Sequence, residues 1–132
     1  MNLIEQYESL VEQKRWDEAI PVIRRIIERS PGIDTSWFNY GVCLDELGRH
    51  DEAAEAFIQA QERNITDWGI HYRVFRSLFL AKDYKLFLHF ADYSCGLNPD
   101  MIHSLCEDEN FSQLFEREDF RELKSKFTRE SK

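Results

Sequence analysis

The sequence predicts an all-α fold, a row of helical hairpins, and three observations carry that expectation. The 132 residues are rich in helix formers and hold only 5 Gly and 3 Pro, a balance that favours helix over sheet. Apolar residues recur at three- and four-residue spacings rather than in alternation. The chain also repeats with a period of 34. KRWDEAI (14–20), GRHDEAA (48–54) and KDYKLFL (82–88) start 34 residues apart, and Pro31 and Pro99 lie twice that distance apart.

The repeats fall at 1–33, 34–67 and 68–101, each a pair of helices. In the first, Leu3, Tyr7 and Leu10 share one face of a helix over 2–14. Ala19, Ile23, Ile26 and Ile27 share one face of a helix over 17–29. Pro31-Gly32 stops the second helix, because proline cannot continue it. Pro21 is placed within the first turn or so of its helix, where a missing N–H costs least. In the second repeat the stretch Trp37–Ala60 reads as two helices joined by a tight turn at Gly48-Arg49-His50. Trp37, Tyr40, Gly41 and Leu44 face one way on the first helix, and Ala53, Phe57 and Ala60 on the second. Asp34, Thr35 or Ser36 is expected to cap the first helix, and Asp51 the second. A single hairpin leaves such stripes unburied, so it needs like neighbours.

Trp37, Tyr40, Gly41, Leu44, Ala53, Phe57 and Ala60, at these separations, resemble the tetratricopeptide repeat. The first repeat matches through Leu3, Leu10, Ala19, Ile23 and Pro31, and the third through Leu78, Tyr84, Ala91 and Leu97-Asn98-Pro99. The resemblance covers residues 1–101 and implies a right-handed α-α superhelix. Residues 102–132 resemble the closing element of small repeat arrays. They carry Leu105, Asp108 and two Phe-x-x-Leu units, Phe111–Leu114 and Phe120–Leu123. An array leaves an apolar face open at its end, and a cap with a polar outer side closes it. Glu107-Asp108-Glu109 and Lys124, Lys126 and Arg129 suit that side, and 128–132 is expected to fray.

A formal charge of −8 and a pI near 5.0 argue against binding nucleic acid or an anionic membrane through charge. No apolar run approaches the roughly 20 residues of a membrane helix. MNLIEQYESL lacks the pattern of a secretory signal. Cys43, Cys95 and Cys106 have no CxxC spacing and read as reduced, buried thiols, which points to the cytoplasm. His50, His71, His89 and His103 show no metal-ligand spacing, and no phosphate loop or nucleophile elbow is present. No catalytic residue, cofactor or metal is therefore assigned. His71 stands at a core position, where a packed or hydrogen-bonded imidazole is expected.

The resemblance implies a groove lined by the first helix of each repeat. Its positions are Ile4, Glu8, Val11 and Glu12, then Thr35, Phe38, Asn39, Val42 and Asp45, then Tyr72, Arg73, Arg76 and Phe79. Aromatic anchors flanked by Asn and Arg suit a bound peptide. The expected contact residues are Phe38, Asn39, Val42, Tyr72, Arg73, Arg76 and Phe79. Asp45 and Arg76 are also placed to pair with each other across neighbouring helices. Chaperone adaptors of the family hold a terminal carboxylate with Lys, Asn, Asn, Lys and Arg. Here Ile4, Glu8, Asn39, Gly69 and Arg73 stand in those places, so that ligand is not expected.

The third repeat departs from the pattern. Phe75 and Phe87 replace the small residues of the helix crossing, which should splay it. Leu86, Phe90 and Tyr93 form an apolar stripe where the second repeat has Glu52, Ala56 and Gln59. Such a stripe marks an interaction surface. The implied function is a non-catalytic protein-interaction module that takes a peptide or partner segment in its groove. The alternative is a homodimer built on the third repeat and the C-terminal segment.

Overall fold

A computed structural model describes residues 1–129, without the Arg129 side chain. The described residues form α1 (Leu3–Glu12), α2 (Trp16–Arg29), α3 (Asp34–Glu46), α4 (His50–Arg63), α5 (Trp68–Leu80), α6 (Tyr84–Leu97), α7 (Met101–Glu107), a 3₁₀ helix (Glu109–Leu114) and α8 (Glu118–Arg129). The all-α class is as expected. Fraying at Thr128 is not seen: its hydroxyl donates to the Lys124 carbonyl at 2.7 Å within α8. The rest of that expectation, at 130–132, and the placing of the Arg129 side chain lie outside the described residues.

The 34-residue period is written into the backbone. Helices α2, α4 and α6 each have 14 residues. They are entered through Arg15, Arg49 and Asp83 at φ −91, −91 and −92°. They are left through Ser30, Asn64 and Asn98 at φ −144, −150 and −142°. The turn before each uses one left-handed residue: Lys14 at φ 58°, Gly48 at 76° and Lys82 at 61°. Only the second is the residue type that adopts this conformation without strain. Lys14→Gly and Lys82→Gly should therefore each stabilise the chain by about 0.5–1 kcal/mol. Urea-denaturation midpoints measure this; unchanged or lowered midpoints would show that the turns are held by something other than backbone preference.

Several local expectations need correction. Pro21 is the sixth residue of α2, not part of its first turn, so its absent N–H removes one bond of the helical ladder. The residue Pro21 itself is exposed, which lets the Asp17 carbonyl reach water. Neither α3 nor α4 has a side-chain N-cap: Ile33 and Arg49 stand there. Asp34 instead accepts a hydrogen bond from the Asn64 amide at 3.0 Å. Asp51 lies inside the first turn of α4, where its negative charge complements the positive end of the helix dipole.

The chain divides into two compact units, Met1–Ala81 and Lys82–Lys132. In the first, α1 to α5 pack each on the next. Gly41 faces the ring of Phe57 so closely that a Cβ there would lie 2.7 Å from a ring carbon. The inter-repeat turns are held by side chains. Trp37 Nε1 donates to the Pro31 carbonyl at 2.9 Å, and Arg63 Nε donates to the same oxygen at 2.7 Å. The Arg63 guanidinium also lies over the Trp37 ring at 5.0 Å. One period later, His71 Nε2 bonds the Ile65 carbonyl at 2.7 Å. Positions 37 and 71 thus perform the same task with different rings.

In the second unit α6, α7, the 3₁₀ helix and α8 pack together. Both Phe-x-x-Leu units are buried there, with Phe87, Ala91, Cys95 and Ile102. Phe87 meets Phe111 edge to face with centroids 5.1 Å apart. Asp108 caps the 3₁₀ helix. Lys126 of α8 binds Asp92 of α6 at 2.7 Å.

Candidate functional site

Between α3 and α5 lies a cavity of about 560 Å³, lined by Asp34, Thr35, Phe38, Asp67, Gly69, Ile70, Tyr72, Arg73 and Arg76. Four of the expected contact residues, Phe38, Tyr72, Arg73 and Arg76, come together here. Helical spacing explains why: 72, 73 and 76 share a face of α5 across from 35 and 38 on α3. Asn39, Val42 and Phe79 are partly buried outside this lining. Asp34, Asp67 and Ile70 also belong to the lining; the sequence marks Asp34 only as a possible cap and does not single out Asp67 or Ile70. The signal that could have placed them was the position of both aspartates at the entry to a groove helix.

The charges in the cavity are distinctive. The Arg73 guanidinium stands 5.6 Å from the Phe38 centroid and 5.3 Å from that of Phe57, and these rings meet edge to face at 5.3 Å. No carboxylate pairs with Arg73 among the described residues. Arg76 lies 3.7 Å from Asp45, whose side chain is only 5% exposed. That carboxylate already accepts from Ser77 Oγ at 2.8 Å and bonds His50 Nδ1 at 2.9 Å. The pairing of Asp45 with Arg76 is thus present but long, which leaves guanidinium donors of Arg76 facing solvent.

Asp45, His50 and Ser77 hold the residue types of a hydrolytic triad in the wrong order. Ser77 is fully buried and donates to the carboxylate, not to the imidazole. A serine nucleophile needs a base that takes its proton. Among the described residues, no three His, Cys, Asp or Glu side chains are placed to hold a metal ion. Nor is any helix among them long and apolar enough to cross a membrane.

The thiols are shielded. Cys43 and Cys95 are buried, and burial pushes the Cys95 thiol up to about 12. Burial also raises Cys43, beside the Tyr7 hydroxyl at 3.8 Å, and Cys106. His71 is fully buried, with Gln61 on Nδ1 at 2.9 Å, and burial lowers its pKa.

A second cavity, about 570 Å³, has Trp37 and Tyr40 among its lining residues. Both rings already carry a cation from the chain itself. Arg63 lies over Trp37, and Arg24 lies over Tyr40 at 5.7 Å while bonding its hydroxyl at 3.1 Å. On α6, Leu86 is 42% and Tyr93 40% exposed, and Phe90 is partly buried against His89. The stripe expected from the sequence is present, and α7 and α8 of the same unit leave much of it open.

A family model described as tetratricopeptide repeat matches residues 5–67. No curated protein matches the chain significantly. Among solved structures, the Yersinia enterocolitica type III secretion translocator chaperone SycD aligns at TM-score 0.60 and 13% identity, over 97% of this chain and 77% of that one. SycD in complex with a peptide of the translocator YopD gives TM-score 0.60 and 13% identity over 98% and 92% of the two chains. The TPR2B domain of yeast Sti1 in a complex with pHsp70 gives TM-score 0.60 and 16% identity over 97% and 94%. At these identities the likeness concerns the fold.

Proposed function

We propose that this chain, a member of the tetratricopeptide-repeat family, is a non-catalytic protein-interaction module that holds a peptide segment in the cavity between α3 and α5. The carrying observation is a half-buried guanidinium, Arg73, lying against two aromatic rings in an open cavity with no carboxylate of its own. Phe38 and Tyr72 offer area to an apolar side chain, and the arginines offer donors to carbonyls or a carboxylate. Asn39, Val42 and Phe79 extend the contact beyond the cavity. The structures of SycD with a YopD peptide and of the Sti1 TPR2B domain with pHsp70 support the reading by analogy of fold. The repeats at 1–33, 34–67 and 68–101 supply the groove, and 102–132 the cap.

Tyr72→Ala with Arg73→Glu should lower capture of a partner at least tenfold, since it removes both an anchor and a cation. Pull-down followed by isothermal titration tests this, and unchanged capture by a folded variant would remove the groove reading.

The open stripe on α6 favours a second reading, a homodimer through Leu86, Phe90 and Tyr93. A SycD structure described as an alternative dimer lends it analogy only. Light scattering across concentrations should then show a dimer that Leu86→Asp with Phe90→Asp dissolves. A monomer at every concentration would exclude self-association, and a dimer indifferent to both changes would place it on another surface.

A further inference from the structure

We infer that the occupant of the cavity between α3 and α5 is a segment carrying charges of both signs, a basic and an acidic side chain three or four residues apart with an apolar one between. This rests on the groove reading and adds the chemistry of the ligand. The cavity has two charged ends. Asp34 and Asp67 stand at the start of α3 and α5, and Arg73 and Arg76 lie further along α5.

The acids are satisfied only by neutral donors. Asn64 Nδ2 reaches Asp34 at 3.0 Å, and the Gly69 N–H reaches Asp67 at 3.1 Å. Arg73 meets only rings, and the contact of Arg76 is with Asp45, outside the cavity. Among the described residues, none of the four pairs with another across the cavity. Each end therefore retains a field that a ligand of opposite sign can meet. Like charge on both sides of a ligand would be attracted at one end and repelled at the other.

The spacing follows from the helix. From Asp67 to Arg73 is six residues and to Arg76 nine, which is about 9–14 Å at ~1.5 Å per residue. An extended segment covers that span in about three or four residues at ~3.3 Å each. Phe38 and Tyr72 are also lining residues, which places the apolar side chain against them.

The test uses the full chain and three terminally blocked twelve-residue peptides. One has Lys and Glu four residues apart around a central Leu; the others have Lys at both places or Glu at both. Blocking removes the terminal carboxylate as a competing ligand. By fluorescence anisotropy the mixed peptide should bind about tenfold tighter than either single-sign peptide. Asp34→Asn with Asp67→Asn should erase its advantage over the Glu-only peptide. Arg73→Gln with Arg76→Gln should erase its advantage over the Lys-only peptide. Equal affinity for all three peptides, with Phe38→Ala still abolishing binding, overturns the charge assignment and leaves the groove reading standing. Binding of none of them overturns this ligand chemistry, and the partner-capture assay above then decides the groove reading separately. Binding indifferent to Phe38→Ala overturns both.

Discussion

Gly41→Ala lowers the stability of the chain by about 1–3 kcal/mol, although alanine is the better helix former. At an exposed helix position the change would gain up to about 1 kcal/mol. Here the added methyl meets Phe57 ring carbons at 2.7, 2.8 and 2.9 Å. Phe57 is fully buried, with Phe38 edge-on and the Arg73 guanidinium over it. To admit the methyl the Phe57 ring must shift, α3 and α4 must separate, or side chains must leave their preferred rotamers. A smaller ring neighbour tests that cause. Phe57→Leu opens space beside Gly41, so the double variant should lose less than the sum of the single losses. Urea unfolding of the four proteins gives the cycle. A Gly41→Ala protein as stable as the parent would show that the ring yields freely. Because Phe57 also supports Arg73 and Phe38, the substitution should weaken peptide capture as well as folding.

Lowering the pH through 6.5 should destabilise the chain through His71 by up to about 1.4 kcal/mol per pH unit. The imidazole is buried and neutral, its Nε2–H donating to the Ile65 carbonyl and its Nδ1 accepting from Gln61. Desolvation by burial, the largest cause, lowers its folded pKa. Between the folded value and about 6.5 the unfolded chain binds more protons than the folded one, so stability rises with pH there. The contribution is fully present above about 6.5 and is lost as pH falls. A second N–H would also face the Gln61 amide donor. His71→Gln should flatten the slope between pH 7.5 and 5 even if it lowers the starting stability. The other three histidines remain in both proteins, so the difference in slope reports His71. An identical slope in the variant would assign the acid sensitivity elsewhere.

How much of this was legible in the sequence differs by element. The period of 34 carried the most, because it appears both as residue types and as backbone geometry at 14/48/82, 15/49/83 and 30/64/98. The Phe-x-x-Leu units were equally plain, since each places two large side chains on one face of a short helix. Helix caps were the poorest reading. Asp34 has the right chemistry and adjacency for a cap, yet Asn64, thirty residues away, holds its carboxylate. Arg73 was named as a groove residue, but its lack of a carboxylate partner depends on which neighbours reach it.

The stretch Trp37–Ala60 shows the division most clearly. Its residue types and spacing determined by themselves that two helices form, where they turn and which faces are apolar, because these depend on local propensity and on period. That Gly41 stands against Phe57, that Trp37 holds the Pro31 carbonyl, and that Asp45 is saturated by His50 and Ser77 was decided only by the tertiary structure. The physical reason is that burial and hydrogen-bond partnership are properties of pairs brought together across helices, and helical periodicity specifies a face without specifying what meets it.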